Sequence, residues 1–314
     1  MKNLLVITAL LVLSIGQVAA GEKVDKVLTT TENGKVLIDV QSGKVTIKTW
    51  DKNEVKVVGE LDKDAEGYQF ENNENGRVVF KVHMPSQKWN NWKEEGSKLV
   101  FWIPVKNGVK FEGVTVDVKV ANVLGGARIN TVNGYIDASK LEGRIALGTV
   151  NGDIKSEGLK GNINLNSVNG EIDDSGSEGD LEIETVNGDI NTNSKVNELK
   201  ITNVNGDMDL DLKSIKEIEI STVNGDINLR ADLSNIKTLF ITSVGGDTDL
   251  KFGGDISAEF RIEAHSGGDI ENNLSGDKVR KDKYGPGESL RFTLGSGKAE
   301  VEINTVNGDI RIGK

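Results

Sequence analysis

Leu181-Glu182-Ile183-Glu184-Thr185-Val186-Asn187-Gly188-Asp189-Ile190 is the stretch that decides the fold. Apolar residues at 181 and 183 alternate with charged ones, the period of a half-buried strand. Val186 breaks the alternation, and Asn187-Gly188 follows, a pair that tolerates the positive φ of a sharp bend. The pattern predicts a strand, a corner and a second strand beginning near Ile190, with Leu181, Ile183, Val186 and Ile190 facing inward.

The same motif recurs along the chain. Thr-Val-Asn-Gly or a close variant places its glycine at Gly134, Gly152, Gly170, Gly188, Gly206, Gly225, Gly246 and Gly308, and the first four intervals are eighteen residues each. A degenerate copy stands at His265-Ser266-Gly267-Gly268-Asp269-Ile270. A fixed period with local slack means stacked coils that carry loops. Asn-Gly is also a hairpin signal, so the pairing has to be tested. A hairpin at Asn151-Gly152 would set Leu147 against Ser156 and Ile145 against Gly158. Parallel stacking instead puts Ile145, Ile163, Leu181, Leu199, Ile218, Leu239, Phe260 and Val301 in one column. The next column is Leu147, Leu165, Ile183, Ile201, Ile220, Ile241, Ile262 and Ile303, again wholly apolar. The expected fold is therefore all-β, a parallel β-solenoid of ~18-22-residue coils.

Outward from the repeats the chain changes character. Residues 1–20 read as a signal peptide: Lys2, an apolar run from Leu4 to Ile15, and small residues before Gly21. Residues 21–120 hold strands without the strict repeat, together with all four tryptophans, and are expected to form an irregular cap; residues 121–314 form the regular solenoid. After Asp309-Ile310-Arg311-Ile312 no cap follows, which marks that end as a candidate contact edge. There is no cysteine, so neither disulfides nor thiolate metal sites hold the fold. The formal charge is -11, and loss of Lys2 with the signal peptide makes it -12. That balance argues against nucleic acid and anionic lipid as partners, and no apolar run is long enough to span a membrane.

These repeats, with Ser42-Gly43-Lys44-Val45, Trp50-Asp51-Lys52-Asn53-Glu54-Val55, Ile103-Pro104-Val105 and the closing Thr305-Val306-Asn307-Gly308-Asp309-Ile310-Arg311-Ile312, resemble the bacterial family labelled "putative adhesin", an exported β-strand-repeat domain of unknown function. The resemblance covers nearly the whole chain after residue 20 and implies a right-handed parallel β-helix. It brings no catalytic residues with it.

Candidate sites follow from the stacking. Asp153, Glu171, Asp189, Asp207, Asp226 and Asp247 occupy the position after the turn glycine and would form an acidic column. Neighbouring charges about 5 Å apart in water repel by only about 0.8 kcal/mol, so a solvated column is tolerable, and calcium is the cation such oxygens would suit. No other cofactor is expected. Asn133, Asn151, Asn169, Asn187, Asn205, Asn224 and Asn307 would stack as an amide ladder. Trp89 and Trp92 form a candidate ligand platform, and Lys278 to Gly287 is the one basic cluster. His83 and His265 lie far apart, and no serine elbow, metal-ligand spacing or phosphate loop is present. The sequence thus predicts a non-enzyme: an exported, periplasmic or secreted binding scaffold for a surface polymer or envelope protein. The alternatives are a carbohydrate-active β-helix enzyme, a lyase or hydrolase, and a self-assembling structural protein.

Overall fold

The computed structural model describes residues 21–72, 77–85 and 96–314, and every regular element among them is a strand. The N-terminal part contains β1 (Lys23–Thr29), β2 (Lys35–Trp50), β3 (Glu54–Glu60), β4 (Gly67–Asn72), β5 (Arg77–His83), β6 (Ser97–Pro104) and β7 (Gly108–Ala121). Next come β8 (Ala127–Asn130), β9 (Ile136–Ser139), β10 (Glu142–Asn151), β11 (Ile154–Glu157), β12 (Lys160–Asn169) and β13 (Ile172–Asn187). They are followed by β14 (Ile190–Asn205), β15 (Met208–Leu212), β16 (Glu217–Asn224), β17 (Ile227–Asp232), β18 (Thr238–Gly245) and β19 (Thr248–Gly253). The last part holds β20 (Ala258–Ala264), β21 (Ile270–Asn272), β22 (Arg280–Lys281), β23 (Glu288–Leu294), β24 (Ala299–Thr305) and β25 (Ile310–Gly313). The predicted signal peptide lies outside the described residues.

Each coil gives one strand to each of two parallel ladders. The first ladder runs from β7 through β8, β10, β12, the second halves of β13 and β14, and β16 to β18. The second runs from the end of β7 through β9, β11, the first halves of β13 and β14, β15 and β17 to β19. The predicted columns hold in register: Ile145 faces Ile163, then Leu181, Leu199, Ile218 and Leu239. All of these residues are buried between the two ladders. Aromatic rings thicken the core towards both ends, with Phe80 edge-on to Phe101 at 5.1 Å and Phe260 stacked on Phe292 at 4.5 Å.

The corner differs from expectation in one respect. Thr185 is buried, whereas Val186 is 39% exposed, and Val132, Val150, Val223, Val244 and Val306 share its exposure. The strand alternation continues through the threonine. In earlier coils the inward hydroxyl meets a carbonyl of the preceding coil, Thr149 Oγ1 donating to Gly134 at 3.2 Å and Ser167 Oγ to Gly152 at 3.2 Å, whereas the hydroxyls of Thr185 and Thr222 are buried without a hydrogen-bond partner among the described residues. The inward set is therefore Leu181, Ile183, Thr185 and Ile190, and the valines form an outward ridge. The glycine that follows is required by close approach. A Cβ on Gly188 would sit 2.1 Å from the Gly170 carbonyl oxygen, and one on Gly170 would sit 2.0 Å from that of Gly152.

At both ends, order along the chain and order in space part company. The C-terminal coil, β24 and β25, is inserted between β18–β19 and β20–β21. Leu239 is therefore followed in its column by Val301 and only then by Phe260. The expected bare edge at Ile310 and Ile312 does not exist: β25 pairs on both sides, and the outermost strand β20 is covered by antiparallel β23. The N-terminal end mirrors this. β2 lies between β7 on one side and β5 and β6 on the other, and β4 and β3 then pair antiparallel with β5 and β6, with β1 antiparallel to β3.

Candidate binding faces

Two ladders of side chains decorate the Asn-Gly corner. The Asn151 amide donates to Asn133 Oδ1 at 2.8 Å, and the bond repeats through Asn169, Asn187, Asn205 and Asn224. The acidic column is also in register, and its carboxylates work on the backbone. Asp153 Oδ1 accepts the Glu171 N–H at 3.0 Å; Asp189, Asp207, Asp226 and Asp247 accept the N–H of the acidic residue in the next coil at 2.8–3.0 Å. Each carboxylate thus satisfies a donor at the corner that no ladder bond would reach. Glu171, one methylene longer, reaches Asn191 Nδ2 instead, at 2.6 Å. Burial first, then the charges of Asp173, Asp153 and Asp189, push the Glu171 carboxyl above its ordinary range, against the pull of that bond. Among the described residues no group of three or more His, Asp and Glu converges on a point that could hold a metal ion.

Arg311 sits against the acidic column at the inserted coil, and the column continues past it to Asp269, whose N–H donates to Asp309 Oδ1 at 3.0 Å. The Arg311 guanidinium lies 3.1 Å from Asp309, 3.3 Å from Asp247, 3.4 Å from Asp249 and 3.8 Å from Glu271, so it ties β25 to β19 on one side and to β21 on the other. The basic loop is tied down as well. Lys281 Nζ lies 2.6 Å from Glu288, whose carboxylate also accepts the Ile270 N–H at 2.8 Å. Burial alone would raise the Glu288 pKa, but the bonds from Lys281 and Ile270 outweigh it and hold the carboxyl below its usual range.

The outward face of the first ladder carries a trough. One depression of about 440 Å³ is lined by Arg128, Asn130, Arg144, Asn164 and Asn166, with small Ala146 and Gly148 in its floor. A second, of about 360 Å³, is lined by Asp180, Glu198, Lys200, Glu219 and Phe240. Asn162 and Glu182 border both, so the two are continuous. Asn164 and Asn166 donate to Glu182 and Glu184 at 3.0 Å, which fixes the amides along the wall. The sequence shows each of these residues, but not that they share a groove, because only the eighteen-residue register places Arg144, Asn162, Asp180 and Glu198 side by side.

Inside the second ladder lies a polar cluster that composition conceals. Asp174 is buried and accepts from Ser156 Oγ at 2.6 Å, Ser177 Oγ at 2.6 Å, Ser194 Oγ at 2.5 Å and Thr192 Oγ1 at 3.2 Å. Three of these four contacts are short, strong hydroxyl-to-carboxyl hydrogen bonds. Asp174 occupies the column position held by Ala138 below and Leu210 above. Its hydroxyl cage is thus a local replacement of apolar packing.

The predicted platform, Trp89 and Trp92, lies outside the described residues. The other two tryptophans come together instead. Trp50 and Trp102 are half-buried on the outward side of β2 and β6, with ring centroids 6.5 Å apart. The two histidines stand at opposite ends of the stack, His83 on outermost β5 and His265 just past outermost β20, so no histidine pair exists. No described helix is long and apolar enough to cross a membrane.

A two-ladder parallel solenoid with carboxylate and amide ladders along one corner defines the class. Residues 33–313 match the family model Toastrack DUF4097, and the chain belongs to that family. Among solved structures it is similar to a protein of Clostridium sporogenes described as a "putative cell adhesion protein", at 12% identity over 93% of this chain and 99% of that one. The TM-score is 0.22, too low for the superposition to support any conclusion. Comparison with curated proteins gave no match.

Proposed function

We propose that the protein is a non-catalytic binding scaffold that lays an extended surface polymer, or an extended segment of an envelope protein, along the trough of its first face. The observation that carries this is continuity. From Arg128 on β8 to Phe240 on β18 the trough is lined coil after coil by amides and charged groups at equivalent positions. At the usual strand spacing that is about 30 Å, long enough for several units of a polymer. The lining changes in residue type from Arg128 to Glu182 to Phe240 but keeps one register along the stack, so its groups are spread along a line rather than converging on one point as catalytic groups must. In the same reading residues 1–20 direct export to the periplasm or beyond and are removed, residues 21–120 close one end, and the crossovers are right-handed.

The test is binding of residues 21–314 to immobilised envelope polysaccharides and to envelope extracts, with Arg144→Glu and Glu182→Lys as variants. Wild type should bind at least one of them, and both variants should bind at least tenfold more weakly while unfolding at the wild-type temperature. Shortening of the polymer during the assay would replace the scaffold with an enzyme. Equal binding by wild type and variants would remove the trough from the function.

A further inference from the structure

Across the outer face of the second ladder at the N-terminal end, β6 lies between β3 and β2, in the register Lys56, Trp102, Lys48. Trp50 stands two residues beyond Lys48 on the same side of β2, its ring plane tilted 33° to that of Trp102. The indole N–H of Trp50 donates to the Glu54 carbonyl at 2.7 Å, which fixes that ring. The Lys52 ammonium lies 5.1 Å from its centroid. In the adjoining row Val58 and Val100 are half-buried, so a partly open apolar strip runs beside the rings. Both rings are held in place but neither is sealed, whereas the large side chains of the core, Phe80, Phe101 and Phe111, are 0% exposed.

Charge distinguishes this patch from the rest of the chain. Asp25 is taken up by Lys56 at 3.3 Å, Asp117 by Lys44 at 3.7 Å, and Glu60 accepts the Gly21 N–H at 2.9 Å. Lys48, Lys52 and Lys98 have no ion pair among the described residues, and Asp51 and Glu54 are the remaining carboxylates of the patch. The patch sets five lysines against five carboxylates and is close to neutral on a protein of net charge -11, with Lys48 and Lys52 beside the rings outside any ion pair among the described residues. Further along the same face the outward residues include Asp173, Asp209, Asp211 and Asp249. A polyanion would therefore be repelled by the body of the molecule and accepted at this end.

We propose that Trp50 and Trp102, flanked by Lys48 and Lys52, form a second binding site, for an acidic saccharide whose ring stacks on the indoles and whose carboxylates meet the ammonium groups. Aromatic faces take the apolar face of a sugar ring, and the lysines select for its charge. This site is separate from the trough, and its test is independent of it. Oligogalacturonate is titrated into residues 21–314 and followed by calorimetry and tryptophan fluorescence, beside a neutral cello-oligosaccharide and vesicles of anionic phospholipid.

Oligogalacturonate should bind, with an affinity that falls as salt rises, and the neutral sugar should bind at least tenfold more weakly. Trp102→Ala should abolish the response and Trp102→Phe should retain it. Lys48→Glu, at an exposed position that leaves folding intact, should weaken binding at least tenfold, while Arg144→Glu in the trough should leave it unchanged. Binding that survives Lys48→Glu and Trp102→Ala in folded protein, no binding at all, or binding to the vesicles alone would overturn the assignment.

Discussion

The middle of the stack and its two ends solve different problems. From β8 to β19 each coil pairs with the coil before and the coil after, so every ladder group is satisfied by succession along the chain. An end has no successor and would leave a row of unpaired backbone groups, an invitation to edge-to-edge association. Both ends meet this in the same way. A coil nearer the terminus is tucked one place inward, β2 at one end and β24–β25 at the other, and antiparallel strands finish the edge. Repetition therefore gives the solenoid its length, while departures from chain order give it its ends.

Several changes would break or sharpen that contrast, and the largest is deletion of residues 299–314. It removes β24 and β25, the parallel partners of β20 and β21, and uncovers β18 and β19. Hydrogen exchange should show β20 losing protection worth about 3 kcal/mol or more while β10 to β13 keep theirs. Uniform loss throughout the stack would mean the ends are not separable from the middle. Within the middle, Asp174→Ala should cost about 3 kcal/mol in denaturant unfolding, because four buried hydroxyls lose their acceptor. A loss below about 1 kcal/mol would show that the cage repacks.

Gly188→Ala should cost about 1–3 kcal/mol, since the added Cβ meets the Gly170 carbonyl. Gly276→Ala, in open space near the C-terminal end, should fall within about 0.5 kcal/mol of wild type. Acid should then separate the regions by sign. Glu288 has a depressed folded pKa, so its contribution to the C-terminal end is complete above its unfolded value of about 4.3 and is lost as pH falls through the folded one. Glu171 has a raised folded pKa, so its charged form detracts at neutral pH and protonation on the way down relieves the middle. Exchange measured by region across that range should show the end opening before the middle. Calcium should have the smallest effect, leaving the melting temperature unchanged. A calcium-specific rise absent with magnesium would make the column from Asp153 to Asp247 a cation site.

What the sequence reveals follows the same division. The columns through Ile145 and Leu147 were legible because a period of eighteen residues with apolar positions in phase has one parallel solution. The inward threonine was not, because Thr185 and Val186 are both acceptable in a buried strand, and the choice between them follows from the strand alternation continuing through residue 185 to the corner, which the residue types alone do not show. The order Leu239, Val301, Phe260 was likewise out of reach, since equivalent positions in a column carry no label for their neighbours. The acidic column was visible as a spacing, yet its service to the backbone N–H groups needed the geometry of the corner. Trp50 and Trp102 stand fifty-two positions apart, and only the insertion of β2 beside β6 brings them together.

The tucked coil also has a mechanical consequence. A strand at a free edge can be peeled away one hydrogen bond at a time, under low force. β24 and β25 are zipped along both flanks and clamped by Arg311 from both sides, so tension applied beyond residue 314 would load two ladders in shear at once. At the other end the tucked strand β2 lies behind β1, which pairs on one flank with β3 and would peel first, so the resistance to unravelling belongs to the C-terminal end.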